Sequence, residues 1–492
     1  MINRSSGILM HITSLPSPYG IGSLGREACE FVDFLEAAGQ KFWQVLPITM
    51  AGYGDSPYQS LSTFAGNPLF IDLKLLEEEG LLTEQDLEGI DFGNNEEKVD
   101  YNKVFANKLP LLKKTFLKGK EKYKEEIEDF RQNHREWIED YGLYMALKFH
   151  FDLKPWYQWE EGIKLRKSDA VNKYKEKLEK EINYWIFLQF LFYRQWGALK
   201  EYANKKKIKI IGDLPIYVAE DSADTWGNSE IFLLDTNKRP LKVAGCPPDA
   251  FSKTGQLWGN PLYRWEVLEK KNYDWWIKRI AGSRKLYDVI RIDHFRGLES
   301  FWAVPYGAKT AEAGVWMKGP GMKLFHVIKD QLGKVDFIAE DLGFLTPEVI
   351  TLREESGYPG MKVLQFAFSP NEESIYLPHN HIRNCVVYTG THDNDTVMGW
   401  IQKEPEANVA FAQKYLKLDE EEGCHWGFIR GVWSSVANLA IAPLQDFIGL
   451  GSGGRMNTPS TIGDNWRWRV RKETLTKGLA KKIYEITKLY SR

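Results

Sequence analysis

Five short apolar runs of this sequence end in side chains that can move protons or attack carbon. His11 closes GILMH, Asp213 lies in IIGDLP, Asp293 in VIRIDHF and Glu340 in FIAEDLG. His392 and Asp393 stand together in YTGTHDND. A buried ionised carboxylate loses its hydration, so acids kept at the ends of apolar runs argue for use. One such acid is equally well a structural ion pair. Three acid-ended runs, at Asp293, Glu340 and Asp393, are harder to explain that way.

Two carboxylates flanking an acetal can cleave it. One attacks the anomeric carbon, and the other, protonated, delivers a proton to the departing oxygen. Retaining enzymes hold the two about 5–5.5 Å apart, a separation that neighbouring strands provide. Arg291 precedes Asp293 by two residues and so shares its side of a strand. Its fixed charge favours an ionised, nucleophilic Asp293. Glu340, to act as an acid at neutral pH, needs a raised pKa; its neighbours Ala339 and Leu342 and the nearby carboxylates suit that.

These residues need a scaffold that brings strand ends together. The runs near residues 8, 44, 210, 290, 338, 364, 388 and 441 read as buried parallel strands. That is the strand count of a (β/α)8 TIM barrel, whose catalytic groups gather at the C-terminal ends of the strands. Helical patterns fill most gaps. GREACEFVDFLEAAG places apolar residues at helical spacing and closes on Gly39. TPEVITLREESG opens with Thr-Pro and an early Glu, as helix starts do.

The gaps are unequal. We expect one catalytic barrel over residues 1–492 with large, mostly helical insertions on its loops. One insertion covers 49–205, between the second and third strands, and another covers 215–285, between the third and fourth. The second includes an aromatic loop at 246–261.

Composition narrows the function. Hydrophobic residues make up 43% and charged residues 27%, a globular balance. A net charge of −2 argues against nucleic-acid binding, which concentrates Lys and Arg. The four cysteines form no CxxC pair, as in a reducing compartment. No apolar run reaches the ~18 residues of a membrane span, and the N-terminal run is too short for a signal peptide. A cytoplasmic protein with no membrane partner is expected. The 18 Trp, 23 Tyr and 26 Phe are mostly core, yet an excess of aromatic planes also suits sugar rings.

RIDHFRG, IAEDLG and TGTHDND resemble the barrel motifs of the α-amylase clan in the form used by glycoside hydrolase family 77. The likeness extends, in order, through GILMHITSLPSPYGIGSLG, WQVLPI, GDSPYQSLSTFAGNPLFIDL and IGDLPIYVAEDSADTW. It continues in CPPDAFSKTGQLWGNPLY and the C-terminal RMNTPST and NWRWR. The resemblance implies a retaining 4-α-glucanotransferase acting on α-1,4-glucans and maltooligosaccharides, with no cofactor and no catalytic metal. It implies Asp293 as nucleophile, Glu340 as general acid/base and Asp393 as a third acid that holds the donor sugar, with Asp395 a rival for that role. Arg291, His294, His392 and Asp213 match residues that orient the nucleophile, support the site or bind hydroxyls. Phe251 and Trp258 match a loop that clasps the glucan, Tyr58 an acceptor-side position, and Asn465 another hydroxyl contact.

The sequence departs from the family pattern at Ala250, Ser460 and Asp464, which bears on loop shape and acceptor preference. Three rival readings are a hydrolase on the same barrel, a metal-dependent barrel hydrolase and a non-catalytic glucan-binding protein. The metal reading wants a His-rich ligand set, and the first strand offers a solitary His11 with no HxH or HExxH. The binding-protein reading sits poorly with three retained acids. GLGSGGR near 449–455 lacks the Lys-Ser/Thr of a phosphate loop.

Overall fold

The computed structural model describes residues 3–52, 54–248, 252–343 and 345–492. Eight parallel strands form one sheet: β1 (Ser5–Leu9), β2 (Phe42–Gln44), β3 (Lys209–Pro215), β4 (Val289–Asp293), β5 (Phe337–Ala339), β6 (Gly360–Val363), β7 (Cys385–Tyr388) and β8 (Leu439–Pro443). Their order, β6-β7-β8-β1-β2-β3-β4-β5, curls the sheet into a nearly closed barrel. The remaining seam is stitched where Ala339 N–H donates to Pro359 C=O at 2.9 Å. Asp341 completes it by accepting the Met361 N–H at 2.7 Å.

Strand alternation sorts the side chains into two cores. Leu9, Ile211, Val289, Ile338, Val386 and Ile441 pack together inside the barrel. Ile8, Ile210, Ile290, Phe337, Val387 and Ala440 face the surrounding helices. This alternation is what aims Asp213, Arg291 and Asp293 inward at the barrel mouth.

Helix α1 (Arg26–Ala37) follows β1 and stops before Gly39, whose φ of +71° suits a residue without Cβ. The segment between β2 and β3 carries α2 (Tyr101–Lys122), α3 (Ile138–His150) and α4 (Glu179–Lys205). Gln189 of α4 grips the Gly66 backbone from both sides, accepting its N–H at 2.8 Å and donating to its C=O at 2.9 Å. That anchors the loop bearing Tyr58. A Cβ at Gly66 would fall 2.0 Å from the Phe192 ring, so no larger residue fits there. Helix α5 (Asp274–Leu286) precedes β4, and α6 (Pro347–Ser356) follows β5 with Thr346 at its N-cap and Gly357 in the left-handed region after it.

Two details differ from the sequence reading. The run expected near 364 is a strand only to Val363, and Leu364–Phe366 is a 3-10 turn. Part of the 215–285 segment is not helical either. Gln256–Pro261 and Lys242–Cys246 join Ser300–Pro305 and Val315–Lys318 in a four-stranded antiparallel sheet. Its strands come from the connections on both sides of β4. Pairing between segments so far apart leaves no local periodicity to read.

Candidate active site

Asp213, Arg291 and Asp293 meet because their strands are in register. Asp213 is the direct partner of Arg291, and Pro215 of Asp293. Arg291 Nη1 donates to both Asp213 oxygens at 2.7 Å and to Asp293 Oδ1 at 3.0 Å. The Arg291 and Asp213 side chains are 4% and 0% exposed, whereas Asp293 keeps 29%. The arginine and its supporting acid are sealed below, and the candidate nucleophile stands at the opening. Gly212 lets this happen: a Cβ there would strike the Tyr287 ring at 2.1 Å.

Glu340 stands one residue beyond the Ile292–Ala339 pair and so beside Asp293, across strands about 4.8 Å apart. Its carboxylate accepts the His294 N–H at 2.7 Å and the Leu342 N–H at 2.9 Å. The first bond depends on strain: His294 has φ +53°, a left-handed conformation that non-glycine residues adopt rarely. Burial raises the pKa of both Asp293 and Glu340, against the pull of Arg291. Burial thus pushes both acids toward the protonated form, and direct contact with Arg291 favours the charge on Asp293.

Asp393 lies across the mouth. His392 Nε2 is 3.4 Å from its Oδ2. The His392 ring stacks on Tyr58 at 5.1 Å and 16°, and the Tyr58 hydroxyl donates to Asp213 Oδ2 at 2.7 Å. Tyr58 thereby links the first acid to the third. Burial lowers the His392 pKa, and drives those of His294 and His11 to about 3, so all three imidazoles are neutral at ordinary pH. His11 packs edge-on to Phe70 beneath the site and contributes no polar contact to the acids.

Trp258 reaches over from the small sheet, its ring edge-on to His294 at 4.7 Å. Phe251 and Ala250, read from the sequence as its loop partners, lie outside the described residues. Asp395 is turned away. It bonds Lys403 Nζ at 2.7 Å and Ser452 Oγ at 2.8 Å. Those bonds outweigh its partial burial and lower its pKa. Asn465 does not reach the acids either: it accepts the Thr458 N–H and donates to Thr461, closing its own loop.

The asparagine that does reach them is Asn457, whose amide donates to Asp393 Oδ1 at 2.6 Å. Arg455 Nη2 donates to the Asp393 carbonyl at 2.6 Å. Trp466 packs 5.8 Å from both Tyr58 and His392. The blocks RMNTPST and NWRWR contain both asparagines, and of the two Asn457 is the one that contacts an acid. Its only signal was the block itself, since nothing local tells which residue of a loop faces a strand end far away in sequence. Arg279 was also missed. It is buried, bonds the Pro215 and Ile216 carbonyls at 2.5 and 2.9 Å, and so fixes the chain just beyond Asp213.

A parallel barrel that gathers three acids and an arginine at the C-terminal ends of its strands defines a (β/α)8 enzyme working through carboxylates. The 4-alpha-glucanotransferase family model matches residues 10–476. The 4-alpha-glucanotransferase of Clostridium butyricum is 54% identical over 488 residues, spanning 98% of this chain and 100% of that protein. That of Thermus thermophilus is 48% identical over 478 residues, with 95% of each chain covered. Amylomaltase from Streptococcus agalactiae, solved in complex with acarbose, superposes with a TM-score of 0.97 at 43% identity and 99% coverage of both chains. The chain belongs to the 4-alpha-glucanotransferases of glycoside hydrolase family 77.

Proposed function

We propose that this enzyme moves α-1,4-glucan segments from a donor maltooligosaccharide or amylose to the 4-hydroxyl of glucose or another glucan, by a retaining double displacement. The observation that carries this reading is Arg291 bridging Asp213 and Asp293, with Glu340 on the adjacent strand.

Asp293 attacks the anomeric carbon as the C1–O4 bond breaks, and the departing oxygen takes the proton from Glu340. Arg291 holds the attacking oxygen in line and limits its charge. The neutral imidazoles of His294 and His392 serve hydroxyls as hydrogen-bond partners without adding charge. Asp393, fixed by Asn457, grips the donor sugar in the geometry of the transition state. In the second half, Glu340 removes the proton of an incoming 4-hydroxyl. The new C1–O bond forms as the bond to Asp293 breaks, and two inversions restore the α linkage. Trp258 covers the intermediate and favours a sugar acceptor over water.

The whole chain acts as a single catalytic barrel, with 49–205 and 215–285 as insertions on its loops. The described cysteines form no disulfide, which fits the reducing cytoplasm, and that is where we place the protein.

Metal-free incubation with pure maltotriose tests the reading. Glucose and a ladder of longer oligosaccharides, at a constant number of reducing ends, are expected. Shorter sugars alone, with rising reducing ends, would make the enzyme a hydrolase.

A further inference from the structure

One carboxylate near the barrel mouth has no part in the chemistry above. Asp446 follows β8 in the turn Leu444–Phe447 and is 1% exposed. It forms no ion pair among the described residues, and a buried carboxylate without a cation is costly to keep. Burial pushes its pKa up to about 6, against the pull of the two hydrogen bonds it accepts, and the nearby Asp395 adds to the rise.

Both of its oxygens are engaged by one loop. The Thr389 hydroxyl donates to Oδ2 at 2.5 Å, and the Val397 N–H donates to Oδ1 at 2.8 Å. Thr389 directly follows β7, and Val397 opens the short helix Val397–Lys403. Between them run Thr391, His392, Asp393 and Asp395. A single side chain thus pins both ends of the loop that carries the third acid.

The interior of this loop is held mostly by itself. Asn394 Oδ1 accepts from the Thr391 N–H and hydroxyl at 2.9 Å each, and the Asp393 N–H reaches Thr391 Oγ1 only at 3.3 Å. These bonds shape the turn without tying it to the barrel. The ties come mainly from the segment after β8: Asn457 and Arg455 hold Asp393, Ser452 holds Asp395, and Asp446 holds the two ends. Holding both ends takes two acceptors on one short side chain, which a carboxylate supplies, and its charge strengthens each bond. A reacting group displaced by about 1 Å can cost on the order of 100-fold in rate, so the span of this loop bears on catalysis.

We infer that Asp446 is a positioning residue for Asp393, setting through Thr389 and Val397 the span of the loop that holds the donor sugar. The inference rests on the donor-holding role proposed for Asp393 above. Asp446 then matters to the rate only while Asp393 is there to be placed.

A double-mutant cycle separates this from a purely structural role. Maltotriose consumption is measured in the unaltered enzyme, Asp446→Ala, Asp393→Asn and the double variant, with Tm beside it. Asp446→Ala is expected to lower kcat roughly 10- to 100-fold, and in the Asp393→Asn background the same change costs less than about threefold. Equal losses in both backgrounds, or an unchanged kcat in Asp446→Ala, overturn the inference. If Asp446→Ala fails to fold, Thr389→Val deletes one of the two bonds and takes its place in the cycle. Its loss of kcat is expected to vanish in the Asp393→Asn background, and the same two outcomes overturn the inference. An Asp393→Asn enzyme as active as the unaltered one overturns the role given to Asp393, and this inference with it. Consumption without a ladder of longer sugars refutes the transfer reading instead, and the cycle still reports on Asp446.

Discussion

The Asn457 amide donates to Asp393 Oδ1 at 2.6 Å, and so the loop after β8 sets the orientation of an acid at the end of β7. Asn457→Ala is expected to lower kcat roughly 10- to 100-fold, the cost of a misplaced transition-state contact. Asn457→Asp places a like charge there instead. It removes the donor and repels the Asp393 carboxylate, so the loss in kcat is expected to be at least as large. An unchanged kcat in both variants would remove Asn457 from the catalytic geometry.

Asp293→Asn and Glu340→Gln separate the two halves of the chemistry. Asp293→Asn is expected to abolish transfer, by about 10⁴-fold or more, at an almost unchanged Tm. Glu340→Gln fails equally on maltotriose. It regains glycosylation with α-maltosyl fluoride, whose leaving group needs no proton. No gain with the fluoride would mean that Glu340 is not the acid.

The two neighbouring aspartates give a direct comparison. Asp393→Asn is expected to cost several hundredfold in kcat/KM, because the proposed mechanism has Asp393 hold the donor sugar. Asp395→Asn acts through Lys403 and Ser452, so it is expected to lower Tm by a few degrees and leave kcat within about fivefold. Steady-state kinetics beside calorimetry checks the pair, and the reverse order would exchange the roles proposed for them.

Arg291→Met leaves Asp213 buried without its cation. A broken buried pair costs about 3–5 kcal/mol, and without the pull of Arg291 burial raises the Asp293 carboxyl further. Denaturant unfolding gives the first quantity and the activity profile the second. Asp213→Asn in the same background is expected to recover part of the lost stability.

Stability will fall on mild acidification. His11 and His294 keep folded-state pKa values of about 3, against an ordinary 6.5. Between those limits the unfolded chain binds protons that the native state refuses. Stability is therefore intact above about pH 6.5 and is lost as pH falls toward 3. His11→Asn is expected to flatten the slope of Tm against pH over this range. The same slope in the variant would locate the lost protons elsewhere.

The sequence alone determined the strands and the chemistry. Each barrel strand is a local apolar run, and each candidate acid ends one, because burial on both faces and the barrel's catalytic mouth are written into consecutive residues. The pairing of Arg291 with Asp293 was legible too, since two residues along a strand is a fixed direction in space. What the tertiary structure alone decided lies where distant segments meet. The strands Lys242–Cys246 and Gln256–Pro261 join strands from beyond β4 in one sheet, and Asn457 rather than Asn465 reaches Asp393. Both depend on how loops of different origin fold over one barrel mouth. That is fixed by long-range packing, and no repeat or spacing in the chain encodes it.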